Sequence, residues 1–125
     1  MGGGGFLTGD IRSPLDDLLL TLSPRSRPHV VFLATAVGDS ERAIDAFHAA
    51  FAHRDCDAEA VKVFGIPDHP AERVAAADVV IVAGGNTANL LALWRLHAID
   101  AALRDAWEGG AALGGVSAGG NCWFE

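Results

Sequence analysis

Short apolar runs alternate along the chain with segments whose apolar positions recur every three or four residues. The clearest run is DVVIVA at residues 78–83, and residues 29–34 (HVVFLA) and 111–116 have the same character. Short runs without polar interruption are typical of strands that are buried on both faces of a sheet. A fourth run, AVKVF at residues 60–64, alternates apolar and polar positions, which predicts a more exposed strand.

Helical periodicity fills the segments between these runs. A helix is predicted to begin after Asp39 or Ser40, both good capping residues, and to run to about residue 53. Its apolar face includes His48, which we therefore expect in the core. Further helices are predicted over residues 70–77, 88–96 and 99–108. Strands that alternate with helices indicate a three-layer α/β sandwich, in which helices cover both faces of a parallel sheet.

Both ends of the chain interrupt this pattern. Residues 2–5 are glycines, and no strand precedes them, although a parallel α/β domain normally opens with one. At the other end, a helix predicted from Ala118 reaches residue 125 after only about two turns. We therefore expect residues 1–125 to form a single, partial domain of a larger fold.

The composition narrows the range of partners. The formal net charge is −7 and the nine Lys and Arg residues are scattered, so the chain lacks the basic patch that binds nucleic acid. No apolar run approaches the roughly 18 residues of a membrane span, and the glycine-rich start does not resemble a signal peptide. Cys56 and Cys122 are too few for a disulfide framework or a zinc site. We expect a cytoplasmic protein without nucleic-acid, membrane, metal or cofactor partners.

Residues 115–119 (GVSAG) follow the pattern G-x-S-x-G at the predicted junction of the last strand and the last helix. In such a junction a nucleophilic serine occupies a sharp turn, and glycines omit the Cβ atoms that would clash where strand and helix meet. Ser117 would then project from the carboxyl edge of the sheet, with the N–H of Ala118 directed at a developing oxyanion. The alternative is an ordinary glycine-rich turn with an incidental serine.

A second glycine-rich turn, GGNT at residues 84–87, follows the strand DVVIVA. Carboxyl ends of parallel strands meet at one edge of a sheet, so this turn and Ser117 are predicted to be neighbours. Asn86 or Thr87 can cap the next helix, and the N–H of Gly85 or Asn86 can be a second oxyanion donor. Taken alone, the turn is equally compatible with a well-capped helix start and no ligand.

Together, these two turns and the sequence between them closely resemble peptidase family S51, which includes peptidase E, an Asp-Xaa dipeptidase, and cyanophycinase. The GGN-T loop, the Leu-Leu pair and tryptophan of the following helix, and the G-x-SAG turn all occur in the family's order. FLATAVGDS at residues 32–40 also resembles the family's second strand and the turn after it. The similarity spans roughly residues 28–124.

The resemblance implies a Ser-His-acid triad on a flavodoxin-like fold related to the class I glutamine amidotransferases. Ser117 matches the nucleophile, and Gly85, Asn86 and Ala118 match the loops around the oxyanion. In the family, the acidic residue and the histidine both follow the nucleophile, but no histidine follows Ser117 here. The family's first strand is also missing before the glycine run. The fold is therefore expected to be truncated after the nucleophile turn.

The predicted function is a serine-type peptidase that hydrolyses short peptides as an Asp-Xaa dipeptidase does. Its expected protein partner is a second copy, in a homo-oligomer, or the missing C-terminal half. The alternative is a non-catalytic amidotransferase-like domain, or an inactive fragment, that binds a partner or a small ligand. The missing histidine favours this alternative for the 125 residues in isolation, since only His69 and His97 lie in loops where a substitute base is conceivable.

The remaining candidate residues are expected to be structural. Cys122 is predicted to be a small buried hydrophobe, because nothing in its surroundings would lower the pKa of a thiol. The three tryptophans are more typical of core positions than of substrate stacking, and they are Trp94, Trp107 and Trp123.

Overall fold

Four strands lie side by side in one parallel sheet in the computed structural model, which describes residues 5–124. They are β1 (His29–Leu33), β2 (Asp57–Ala60), β3 (Val79–Val82) and β4 (Ala112–Gly115). The order across the sheet is β2-β1-β3-β4, and all three pairings are parallel. This is the strand order of a flavodoxin-like α/β fold, so the predicted fold class is confirmed.

Helices connect the strands and cover both faces of the sheet. Within the described residues they are α1 (Pro14–Thr21), α2 (Glu41–Phe51), α3 (Pro70–Ala75), α4 (Thr87–Leu96), α5 (Ile99–Glu108) and α6 (Ala118–Asn121). The bounds of α5 are as predicted, and those of α2, α3 and α4 differ by at most two residues. Helix α1 lies in a stretch for which the sequence predicted no element. Ser13 caps it by accepting a hydrogen bond from the N–H of Leu15 at 3.3 Å.

Side chains of the central strands alternate between two hydrophobic cores, one on each face of the sheet. On one face, Phe32 of β1 packs against Phe6 and Phe47, with ring centroids 5.4 Å and 4.9 Å away. On the other face, Val80 of β3 belongs to a core that includes Trp94 of α4. All four residues of β3 are buried, which explains the continuous apolar run in the sequence.

Strand β2 begins and ends earlier than predicted: it covers Asp57–Ala60 rather than residues 60–64. The apolar alternation after it is real, since Val61 and Val63 are buried, but it belongs to the loop that follows the strand. The buried carboxylate of Asp39 holds this loop by accepting the N–H groups of residues 63 and 64. Burial, and not strand pairing, therefore produced the pattern.

Two residues predicted to lie in the core are exposed. His48 of α2 faces solvent, although Ile44 and Phe47 of the same helix are buried, because it lies at the border of the apolar stripe. Trp107 of α5 is 62% exposed, whereas Trp94 is buried and Trp123 is half-buried. None of the helices in the described part of the chain has the length and apolar character needed to cross a membrane.

Candidate active site

Ser117 occupies the turn between β4 and α6, where its backbone adopts φ 53° and ψ −116°. Residues other than glycine rarely adopt a positive φ, and such strain persists only where the surroundings enforce it. The side chain of Ser117 is exposed, while the following residues Ala118 and Gly119 are buried. The strand therefore presents a serine hydroxyl at the carboxyl edge of the sheet, as in a nucleophile elbow.

The glycines of the motif are required by contacts rather than by unusual φ angles. A Cβ built on Gly115 would lie 2.0 Å from the carbonyl oxygen of Gly119. A Cβ built on Gly119 would lie 2.2 Å from the carbonyl oxygen of Val82 in β3. Both carbonyl oxygens belong to the backbone, so they cannot rotate away from an added Cβ as the end of a side chain could. The turn can bring Ser117 to this position only if both flanking residues lack side chains.

The GGN turn adjoins Ser117, as the shared strand edge predicts. Val82 at the end of β3 pairs with Gly115 at the end of β4, so the two turns leave the sheet side by side. A Cβ built on Gly84 would lie 3.1 Å from the Cβ of Ser117 and 3.8 Å from its Oγ. The absence of a side chain at Gly84 therefore leaves the space beside the serine hydroxyl open.

Asn86 and Gly85 of the GGN turn differ in their hydrogen bonds. Asn86 caps α4, since its side chain accepts the N–H of Asn89 at 3.0 Å. Its own N–H donates to the carbonyl of Ala36 at 2.8 Å, so this group is already engaged. Within residues 5–124, no acceptor is found for the N–H of Gly85 or of Ala118. Of the two candidates for a second oxyanion donor, the N–H of Asn86 is thus engaged by Ala36, whereas that of Gly85 has no acceptor within residues 5–124.

Gly85 itself cannot carry a side chain. Its φ is +141°, and a Cβ there would lie 2.1 Å from the carbonyl oxygen of Ala36 and 2.9 Å from Cγ1 of Val37. The loop after β1 therefore packs directly against the GGN turn and fixes its position beside Ser117. An alanine at this position would displace the turn, so its effect on activity could not be separated from its effect on structure.

No histidine hydrogen-bonds to Ser117 in the described part of the chain. His29 lies at the start of β1, at the amino ends of the strands, whereas Ser117 lies at their carboxyl ends; its ring contacts Glu59 at 2.8 Å. His97 ends α4, whose ten residues carry it about 15 Å from the GGN turn. His69 begins α3 and lies 3.6 Å from a glutamate of that helix. In residues 5–124, the turn that carries Ser117 therefore has no histidine hydrogen-bonded to the serine.

Cys122 lies five residues after Ser117, at the C-terminal end of α6. Burial raises the pKa of its thiol to about 11, and Sγ donates a hydrogen bond to the carbonyl of Gly119 at 3.2 Å. The thiol therefore stays protonated at neutral pH and is a poor nucleophile, as the sequence predicted.

Comparison with known proteins agrees with this geometry. The model of peptidase family S51 matches residues 1–125. The uncharacterized peptidase YgaJ of Bacillus subtilis (strain 168) is 43% identical over 126 residues, which are 100% of this chain and 55% of that protein.

Two solved structures have the same fold. A peptidase from an acI-B1 actinobacterium superposes with a TM-score of 0.75 at 19% identity. The superposition covers 94% of this chain and 52% of the actinobacterial chain. The second structure is a protein of Listeria monocytogenes EGD-e that carries the provisional name peptidase E. It superposes with a TM-score of 0.64 at 21% identity, over 82% of this chain and 53% of the Listeria chain. The chain therefore spans about half the length of the relatives that it matches.

Proposed function

This chain belongs to peptidase family S51, and we propose that it supplies the nucleophile of a serine-type peptidase that cleaves short peptides, as an Asp-Xaa dipeptidase does. The observation that carries the proposal is the strained backbone of Ser117, at φ 53°, held between glycines that contacts require. Backbone strain of this kind clusters at active sites.

In the proposed reaction, Oγ of Ser117 attacks the carbonyl carbon of the scissile peptide bond. A histidine accepts the hydroxyl proton and transfers it to the leaving amine, and water then hydrolyses the acyl-enzyme by the same route. The N–H groups of Ala118 and Gly85 would stabilise the oxyanion. Each such donor is worth about 3 kcal/mol in the transition state.

We expect the histidine to come from outside residues 5–124, because none of the described histidines hydrogen-bonds to Ser117. The resemblance to the family implies that both the histidine and the acidic residue follow the nucleophile in the chain. Without a base, the hydroxyl of Ser117 is protonated at neutral pH and reacts slowly. We therefore expect the 125-residue chain alone to be inactive.

The test is hydrolysis of an Asp-Xaa dipeptide by this chain, alone and co-expressed with the part of YgaJ that lies outside the matched region. Turnover should require both polypeptides, and Ser117→Ala should lower it by about 10⁴-fold or more. Ser26→Ala, at an exposed serine before β1, is the control and should have no effect. An Ala-Xaa dipeptide tests the preference for aspartate.

Equal turnover by the Ser117→Ala variant and the parent would show that another residue is the nucleophile. No turnover by the combined polypeptides, despite their association, would favour the alternative of a non-catalytic binding domain.

A further inference from the structure

The loop after β1 (residues 34–39, the β1 loop) is attached to its neighbours by two buried side chains. Oδ2 of Asp39 accepts N–H groups from the loop after β2, among them that of Phe64 at 2.8 Å. Oγ1 of Thr35 accepts the indole N–H of Trp94 in α4 at 3.2 Å. Because a buried polar group that loses its partner is costly, these bonds hold the β1 loop firmly on both sides.

Hydrogen bonds within the β1 loop restrict its backbone. The carbonyl of Ala34 accepts the N–H of Val37 at 3.0 Å and that of Asp39 at 3.1 Å. Asp39 has a φ of 53°, which aspartate tolerates better than most residues. Ala36 lies in this turn, between the two anchoring residues Thr35 and Asp39, so its position is fixed by both.

The carbonyl of Ala36 is the point at which the β1 loop meets the GGN turn. It accepts the N–H of Asn86 at 2.8 Å, and a Cβ on Gly85 would lie 2.1 Å from its oxygen. On the other side the turn contacts the serine, since a Cβ on Gly84 would lie 3.1 Å from the Cβ of Ser117. The N–H of Gly85 belongs to the peptide group between these two contacts, so its direction depends on both.

We infer that Asp39 and Thr35 are positioning residues for the proposed reaction. Through the carbonyl of Ala36, they direct the N–H of Gly85 towards the developing oxyanion. The inference rests on the proposed function, because it takes Gly85 as an oxyanion donor. Such donors stabilise a transition state because they are fixed before the reaction begins, and a misplacement of about 1 Å can cost about 100-fold in rate. Both side chains are buried, so their effect does not require contact with the substrate.

The test compares variants that remove or keep each anchor. Thr35→Val has nearly the volume of threonine but offers no acceptor to the indole of Trp94, whereas Thr35→Ser retains a hydroxyl. Asp39→Gly removes the carboxylate without adding strain at a positive φ, and Asp39→Asn retains an acceptor oxygen. Asp16→Ala is the control, because it also removes a buried carboxylate that accepts a backbone N–H, but in α1.

Each variant would be assayed for hydrolysis of an Asp-Xaa dipeptide, co-expressed with the outside part of YgaJ. We expect Thr35→Val and Asp39→Gly to lower kcat about ten-fold or more and to leave KM within about two-fold, because an oxyanion donor acts in the transition state and not in substrate binding. Thr35→Ser and Asp39→Asn should recover most of the loss. Asp16→Ala should leave kcat unchanged.

Amide hydrogen exchange in the same preparations tests the positioning without any need for turnover. The N–H of Asn86 reports the bond to the carbonyl of Ala36, and NMR of the isotope-labelled chain resolves it. It should exchange about ten-fold or more faster in Thr35→Val and Asp39→Gly than in the parent, because local opening of the β1 loop frees it. Asp16→Ala should exchange as the parent does.

Unchanged exchange of the Asn86 N–H in both anchor variants would overturn the proposal. A rise in KM at unchanged kcat would also overturn it, because the β1 loop would then act in substrate binding. Equal effects of Asp16→Ala and the anchor variants would do the same, by showing a general loss of stability. Faster exchange in the anchor variants, with no Ser117-dependent turnover by the parent, would support the attachment of the GGN turn and refute the proposed catalysis.

Discussion

Replacement of Gly119 by alanine tests the packing that creates the nucleophile turn. The added Cβ would lie 2.2 Å from the carbonyl oxygen of Val82 and 2.8 Å from that of Ala83. The carbonyl of Val82 accepts the N–H of Val116, so the methyl group would intrude where β3 and β4 are joined. The backbone at Gly119 does not have a positive φ, so no backbone strain adds to the cost of this contact.

The size of the effect follows from the rigidity of the atoms in contact. Overpacking in a core typically costs about 1–3 kcal/mol, and we expect the upper end, about 3 kcal/mol, because backbone cannot rotate away. At roughly 4 °C per kcal/mol for a chain of this size, the melting temperature should fall by about 12 °C. Gly109→Ala is the control: its Cβ would meet carbonyl oxygens no closer than 3.3 Å and its φ is −77°, so the change should stay within about 1 kcal/mol.

Thermal and urea unfolding of the two variants and the parent measure these differences. An unchanged slope of free energy against urea concentration would show that the unfolded state is the same in all three. If Gly119→Ala melts within about 2 °C of the parent, the turn can accommodate a side chain and the contact argument is wrong.

Three further predictions concern Asp16, Asn86 and Cys122. Burial raises the pKa of Asp16, so the folded state gains stability relative to the unfolded state as the pH falls through the folded pKa. Asp16→Asn keeps an acceptor for the N–H of Phe6 and should abolish that gain when urea unfolding is compared between about pH 7 and about pH 4. The same pH dependence of the free energy of unfolding in the variant and the parent would contradict this. Asn86→Ala should cost about 1 kcal/mol because the N–H of Asn89 loses its cap, and Asn86→Asp should restore most of it in the same unfolding assay. Cys122 should react with iodoacetamide at pH 8 about 100-fold more slowly than an ordinary thiol, given its pKa of about 11, and rapid alkylation of the folded chain would refute the burial argument.

The fold was largely predictable because burial leaves a periodic signal. Strand β3 is buried at every position and α5 has a regular apolar stripe, so both were found within a residue of their bounds. Strand β2 was misplaced because its charged residues are held by ion pairs with distant arginines, which no local pattern reveals. Helix α1 was not predicted, although Ser13-Pro14 is a good helix start.

The candidate site, like the fold, could be predicted from the sequence only in part. The turn around Ser117 could be predicted, because the glycine spacing reflects contacts within a few residues of the chain and with the adjacent strand end. The choice between Gly85 and Asn86 could not, since it depends on the carbonyl of Ala36, 50 residues earlier in the sequence, which engages the N–H of Asn86. Long-range backbone contacts of this kind have no signature in a single sequence.

The central claim, that Ser117 is the nucleophile, is tested most directly by locating the adduct of a fluorophosphonate probe. The 125-residue chain, associated with the outside part of YgaJ, would be labelled, digested and mapped by tandem mass spectrometry. We predict one adduct, on the peptide that contains Ser117, which is lost in Ser117→Ala and kept in Ser26→Ala. An adduct on a different residue, or equal labelling of the Ser117→Ala variant, would contradict it.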